Sequence, residues 1–308
     1  MYRFLTSIAL CAILYALPTD GKAPDKPLAL ADPFIFYHNG LYYAYGTGGS
    51  GGFDVYSSRN LEKWQLCPHK ALSKDDSYGD KWFWAPEVYQ NPDNGKFYLF
   101  YSAEEHICVA VSDSPEGPFR QDIQEPMLEE KAIDSSLFID TDGKAYLYFV
   151  RFTGGNVIWC AELADDWMHI RPETLKECIS AELPWERKMA RVAEGPTVLK
   201  KDGTYYLIYS ANHFQSQDYG VGYATADSPE SGWVKNADPI LCKPSNGLKG
   251  TGHGSVFKDR KGNMHYVFHS HKDEENVNPR ILHIADITIS DGHIVIDTSS
   301  IFTPAVRR

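Results

Sequence analysis

The 308-residue chain has no surplus of basic charge: 30 Lys and Arg stand against 41 Asp and Glu, a formal net charge of −11. No cationic excess is available to neutralise phosphates, which argues against nucleic acid and anionic membranes as partners, so neither is expected. Long hydrophobic runs are also scarce. Beyond the N-terminus nothing approaches the roughly 18 apolar residues of a transmembrane helix, so no membrane span is expected. Cysteine is sparse, and Cys67, Cys108, Cys160, Cys178 and Cys242 are widely spaced with no C-x-x-C. That is neither a zinc pattern nor a disulfide framework, although one disulfide stays open for an exported protein. Long helical patterns are absent. Aromatic residues, by contrast, are plentiful at 19 Tyr, 15 Phe and 7 Trp. Such rings suit strands and also stack on flat apolar faces, sugar rings included.

The N-terminus opens with Tyr2 and Arg3, continues in an apolar run from Ile8 to Leu17, and breaks at Pro18-Thr-Asp-Gly21. Residues 1–21 therefore read as a secretory signal peptide, too short to span a bilayer. Export to the periplasm or the extracellular space is the expectation, with one domain over residues 25–308.

That domain is built from a fivefold repeat. Copies start at Asp32, Ala85, Asp134, Glu194 and His253, spaced 53, 49, 60 and 59 residues apart. Each is a short apolar strand, a turn such as Asn39-Gly40, Asn94-Gly95, Asp142-Gly143 or Asp202-Gly203, and an aromatic-rich second strand. This is the signature of a β-hairpin. A third strand and often a fourth follow, and the junctions Ser112-Asp-Ser-Pro-Glu-Gly-Pro-Phe119 and Ala226-Asp-Ser-Pro-Glu-Ser-Gly-Trp233 are near copies. Five units of up to four antiparallel strands predict an all-β fold, a single five-bladed β-propeller.

In a propeller the first strand of each blade lines the central channel, so the five repeat starts should ring one mouth of it. Asp32, Asp134 and Glu194 then converge with His253, and Glu87 lies two residues after Ala85. Alternation along the strand places Phe34 on the same side as Asp32, as a pocket wall. Second strands return to this mouth, so Gly46–Gly52, Ser102–His106, Arg151–Gly154, Asn212–Ser216 and His269–His271 should form the rim, with Arg280 beside them. Any one acid alone reads as a strand-entry cap. Three at equivalent starts point to proton transfer, as in glycoside hydrolysis, where one carboxyl protonates the leaving oxygen and another works opposite it. A third can raise the acid's pKa by repulsion. Trp82, Phe83 and Trp84 offer a stacking platform, and Trp84 and His271 are taken as substrate contacts. Gly46-Thr-Gly-Gly-Ser-Gly51 fits G-x-G-x-x-G, but a strand follows it rather than a helix, so it reads as a rim loop.

The segments Ala31-Asp-Pro-Phe-Ile35, Trp84-Ala-Pro-Glu-Val88, Ile133-Asp-Ser-Ser-Leu-Phe138, Ala193-Glu-Gly-Pro-Thr197 and Gly252-His-Gly-Ser-Val256 make the chain resemble glycoside hydrolase family 43. These are five-bladed propellers that act on plant pentosans and arabinogalactans with inversion, and the likeness runs through the whole mature chain in the family's order. The resemblance implies that Asp32 is the general base, Glu194 the general acid, and Asp134 the residue that tunes and orients the acid. It implies that Arg280 holds substrate or a carboxylate. It also implies that His253 is the channel histidine, beside a possible structural calcium that catalysis does not require.

The expected activity is removal of terminal α-L-arabinofuranosyl or β-D-xylosyl units from plant cell-wall oligosaccharides or polysaccharides. An endo-acting arabinanase or xylanase, and a galactan-cleaving relative, are the enzymatic alternatives. A carbohydrate-binding propeller without catalysis would need the aromatics but not the carboxylates.

Overall fold

The computed structural model describes residues 25–243 and 247–307, so the expected signal peptide at 1–21 lies outside the described residues. Strand residues dominate, arranged as five blades around a channel. The innermost strands are Phe34–His38, Trp84–Gln90, Ala132–Ile139, Ala193–Lys201 and Gly252–Lys258. Each touches the next, and the fifth touches the first, closing the ring.

Two features of the sequence explain this arrangement. The hairpin turns carry residues able to take positive φ: Asn39 and Gly40 adopt 48° and 85°, and Asp202 and Gly203 adopt 51° and 87°. That geometry matches the twist of the flanking strands. The second strands are apolar on both faces because both faces are covered. In Phe97–Ala103 every residue is buried. Phe97, Leu99 and Tyr101 pack against the first blade, while Tyr98 and Phe100 pack against the third. The same division recurs around the ring, so the core is five clusters, one at each interface between blades.

The first blade joins the two ends of the domain. Ala305–Val306 pairs in parallel with Lys63–Leu66, and Lys26–Pro27 pairs with Ala305–Val306 from outside. The second blade has three strands where the next three blades have four.

Candidate active site

Four of the five inner strands begin with the same irregularity. Their pairing slips between Trp84 and Glu87, Ile133 and Ser136, Glu194 and Thr197, and Gly252 and Ser255. A bulge of this kind re-aims a side chain and is common beside active sites. In each, the residue just after the start of the slip has positive φ: Ala85 at 44°, Asp134 at 58°, Gly195 at 56° and His253 at 43°. Asp32, at 49°, completes the set on the first blade. For the four that are not glycine this conformation costs on the order of 1 kcal/mol each.

A ring of hydrogen bonds between blades holds these residues. The Asp32 amide donates to His269 Nδ1 at 3.1 Å, Ala85 to Thr47 Oγ1 at 3.1 Å, Asp134 to Ser102 Oγ at 3.0 Å, and His253 to Ser210 Oγ at 2.7 Å. Each acceptor sits at or just beyond the end of the preceding blade's second strand. In the third blade the equivalent residue is Val150, paired with Ile133, whose side chain offers no acceptor. The Gly195 amide turns instead to Asp134 Oδ2, at 3.4 Å.

The expected alignment therefore shifts at one blade. Gly195, not Glu194, is equivalent to Asp32 and Asp134; Glu194 stands one residue earlier, opposite Ser210. Glycine is required there because a Cβ on Gly195 would lie 2.9 Å from His253 Cδ2. Glu194 nonetheless faces the same cavity, of about 340 Å³, as Asp32, Asp134, His253, Arg280 and Trp84. Glu105, Ile133, Phe152, Asn156, Val192, His213 and Phe214 complete its walls.

Asp32 is held from several sides. Arg280 grips it through Nη1 to Oδ1 at 2.7 Å and Nη2 to Oδ2 at 3.2 Å, and Thr47 Oγ1 donates to Oδ2. His253 Nδ1 is 3.4 Å from Oδ1. Burial alone would raise the pKa of Asp32, but the Arg280 guanidinium, followed by His253 and His269, holds the carboxyl well below the usual carboxylate range. Glu194 accepts from Tyr219 Oη at 2.8 Å and from Asn156 Nδ2 at 2.9 Å. Burial raises its pKa to about 7; the Tyr219 bond opposes this rise, and the negative charge of Asp32 adds to it. Asp134 is raised well above its ordinary value by burial, then by Glu194 and Asp32. The pocket thus keeps one carboxylate ionised opposite a pair that retains a proton near neutrality. Glu87, pushed up to about 8 by burial and hydrogen-bonded by Tyr89 Oη, lies near this group and adds to the rise at Asp134.

Two expected site residues lie behind the pocket wall. Phe34 is 7% exposed and packs into the interface with the second blade, its ring 5.3 Å from Tyr89. Strict alternation from Asp32 fails because the left-handed backbone at Asp32 interrupts the extended chain. His271 is 5% exposed, and its Nε2 bonds the Phe214 carbonyl at 2.7 Å. Trp84 does line the pocket, stacked on the exposed Trp82 at 5.8 Å. Asn156 and Tyr219 were missed. Asn156 opens a third strand and Tyr219 immediately precedes one. Both share the position that singles out Arg280, which immediately precedes the third strand of its own blade, so the start of each third strand was the signal that could have found them.

Calcium takes six to eight oxygen ligands. The carboxylates within reach of His253 Nδ1 are Asp32, already gripped by Arg280, and Asp134 at 3.9 Å. Among the described residues no group of three or more His, Cys, Asp or Glu is placed to hold a metal ion. The donor set does not fit a calcium held directly by protein ligands.

Residues 22–294 match the family described as "Glycosyl hydrolases family 43". The chain is 53% identical to a solved Bacteroides thetaiotaomicron protein described as an endo-1,4-beta-xylanase, with a TM-score of 0.89 over 92% of this chain and 98% of that one. It is 28% identical to a beta-D-galactofuranosidase of Aspergillus niger, over 82% of this chain and 76% of the relative. It is 26% identical to an extracellular exo-alpha-(1->5)-L-arabinofuranosidase of Streptomyces chartreusis, over 89% and 92%. No helix among the described residues is long and apolar enough to cross a membrane.

Proposed function

The chain belongs to glycosyl hydrolase family 43, a family of glycosidases, and on that premise we propose that it removes terminal α-L-arabinofuranosyl or β-D-xylosyl units from plant cell-wall saccharides with inversion. The observation that carries this reading is the convergence of Asp32, gripped by Arg280, with the interacting carboxyls of Glu194 and Asp134 on one pocket. Asp32 takes a proton from water as the water oxygen bonds to the anomeric carbon. The glycosidic C–O bond breaks, and the proton of Glu194 passes to the leaving oxygen. The step ends with Asp32 protonated and Glu194 ionised, and exchange with solvent resets both.

Arg280 and Thr47 fix the carboxylate of Asp32, while Tyr219 and Asn156 fix that of Glu194. Trp84 supplies a stacking face for a sugar ring. Asp134 keeps the last proton on the pair: with two carboxyls close together, loss of that proton creates a second buried negative charge. In Asp134→Asn this repulsion is gone, so Glu194 deprotonates more readily. The basic limb of the pH–rate profile should move to lower pH by about one unit or more, and the acidic limb much less. An unmoved basic limb would remove Asp134 from this role.

Export is supported by the basic start and apolar run within residues 1–21 and by the word "extracellular" in the name of the Streptomyces relative. The domain is taken to span residues 25–308. A second reading, endo attack on β-1,4-xylan, is favoured by the name of the 53% identical protein. Nitrophenyl α-L-arabinofuranoside, β-D-xyloside and β-D-galactofuranoside, assayed beside xylan, arabinan and galactan, decide between them. Release of free pentose supports exo action, oligosaccharides from xylan support the second reading, and hydrolysis of none of these would leave a binding propeller.

A further inference from the structure

Behind the pocket wall lies a chain of contacts that ends on Asp32. The loop between the second and third strands of the fourth blade carries His213 and Phe214 into the pocket. The Phe214 carbonyl can only accept, so His271 Nε2 must carry the hydrogen in their 2.7 Å bond. The Phe214 ring faces the Arg280 guanidinium, with its centroid 5.1 Å from Cζ. Both terminal nitrogens of Arg280 bond Asp32, and Nη1 also lies 3.4 Å from His269 Nε2. Its Nε is buried and has no hydrogen-bond partner among the described residues, so a covering ring is what stands against the rest of that cation. His271 is itself seated by Gly250: a Cβ there would lie 2.1 Å from the imidazole Cδ2, and Gly250 has a φ of 59°.

We propose that His271 and Phe214 are positioning residues, a brace that holds Arg280 against Asp32 and so aims the carboxylate that activates water. This rests on the assignment of Asp32 as the base. His271 pins the loop, the loop presents the Phe214 ring, and the ring confines the guanidinium in the orientation that both Asp32 oxygens require. Besides Arg280, the groups facing Asp32 are His253, His269 and Thr47, with Glu194, Asp134 and Tyr219 also near it. None of these touches the His271–Phe214 bond, so the brace can be loosened without altering them directly.

The test is a pair of brace variants, His271→Phe and Phe214→Leu, compared with His271→Gln and Phe214→Tyr, which keep a donor and a ring face. On whichever glycoside the wild type cleaves, kcat should fall roughly ten- to a hundredfold in His271→Phe, the scale of a small misplacement of a reacting group. KM should change less than kcat in that variant, because His271 itself lies outside the pocket and acts on its lining only through the loop. With Arg280 less firmly seated, the pKa of Asp32 rises, so kcat/KM at about pH 4.5 should drop further relative to about pH 6.5 than it does in the wild type. Phe214→Leu should show the same kcat loss and acid-limb shift, with a KM change added because its ring lines the pocket. The conservative variants should recover most of the rate. A lower melting temperature with wild-type kcat and an unmoved acid limb, in either brace variant, overturns the proposal. If His271→Phe does not fold, Phe214→Leu decides alone, since Phe214 is a half-buried loop residue. A wild type that hydrolyses no glycoside overturns the functional reading instead.

Discussion

Asp32→Asn should lose activity on every substrate by about a thousandfold or more, within the upper range of what a positioned acid or base contributes. Two effects act together. The amide cannot accept a proton from water, so the nucleophile is no longer generated. The negative charge of Asp32 also helps keep Glu194 protonated, so its removal lowers the acid's pKa and reduces the competent fraction at neutral pH. The larger part of the loss, from the missing base, should fall on every substrate alike, because all need the water activated in the same step. Replacing the carboxylate also leaves the Arg280 cation without its charge partner in a buried site, so thermal unfolding must be recorded beside the kinetics. Wild-type turnover with an unchanged unfolding curve would remove Asp32 from the chemistry.

Glu194→Gln should separate substrates that Asp32→Asn does not. The variant cannot deliver a proton to the leaving oxygen, so natural saccharides, whose leaving groups are sugar alcohols, should lose roughly 10²- to 10⁴-fold. Nitrophenyl glycosides, which leave without much help, should lose far less. A plot of log kcat/KM against leaving-group pKa should therefore be steeper in the variant than in the wild type. Equal losses across the series would mean that Glu194 does something other than protonate the departing oxygen. Tyr219→Phe shifts the same group the other way, and the basic limb of the pH–rate profile reads it. It removes the 2.8 Å bond that favours the ionised carboxylate, so Glu194 should hold its proton to higher pH.

Much of this architecture could be read from the sequence because turn chemistry and strand composition are local. Asn39-Gly40 and Asp202-Gly203 mark hairpins by themselves, and the doubly apolar second strands state that both their faces are covered. The convergence of Asp32, Asp134, Glu194 and His253 followed from topology alone, since innermost strands must share a channel mouth. What stayed hidden depends on backbone conformation at single residues. The left-handed turn at Asp32 sends Phe34 into the core rather than the pocket. The placement of Gly195, not Glu194, at the bulge of the fourth blade moves the acid one step along its strand without taking it out of the cavity. His271 looked like a rim residue because it follows the end of a second strand, but the loop carrying Phe214 folds over it. Nothing in the sequence near His271 announces a partner 57 residues away.

The proposed roles, water activated by Asp32 and the leaving oxygen protonated by Glu194, permit one stereochemical outcome. Proton NMR of a digest followed from its first minutes, before mutarotation mixes the anomers, reads that outcome directly. The first sugar released should have the anomeric configuration opposite to that of the bond cleaved. A first product with the configuration retained would mean a covalent glycosyl-enzyme intermediate, and would contradict the roles of Asp32 as base and Glu194 as acid.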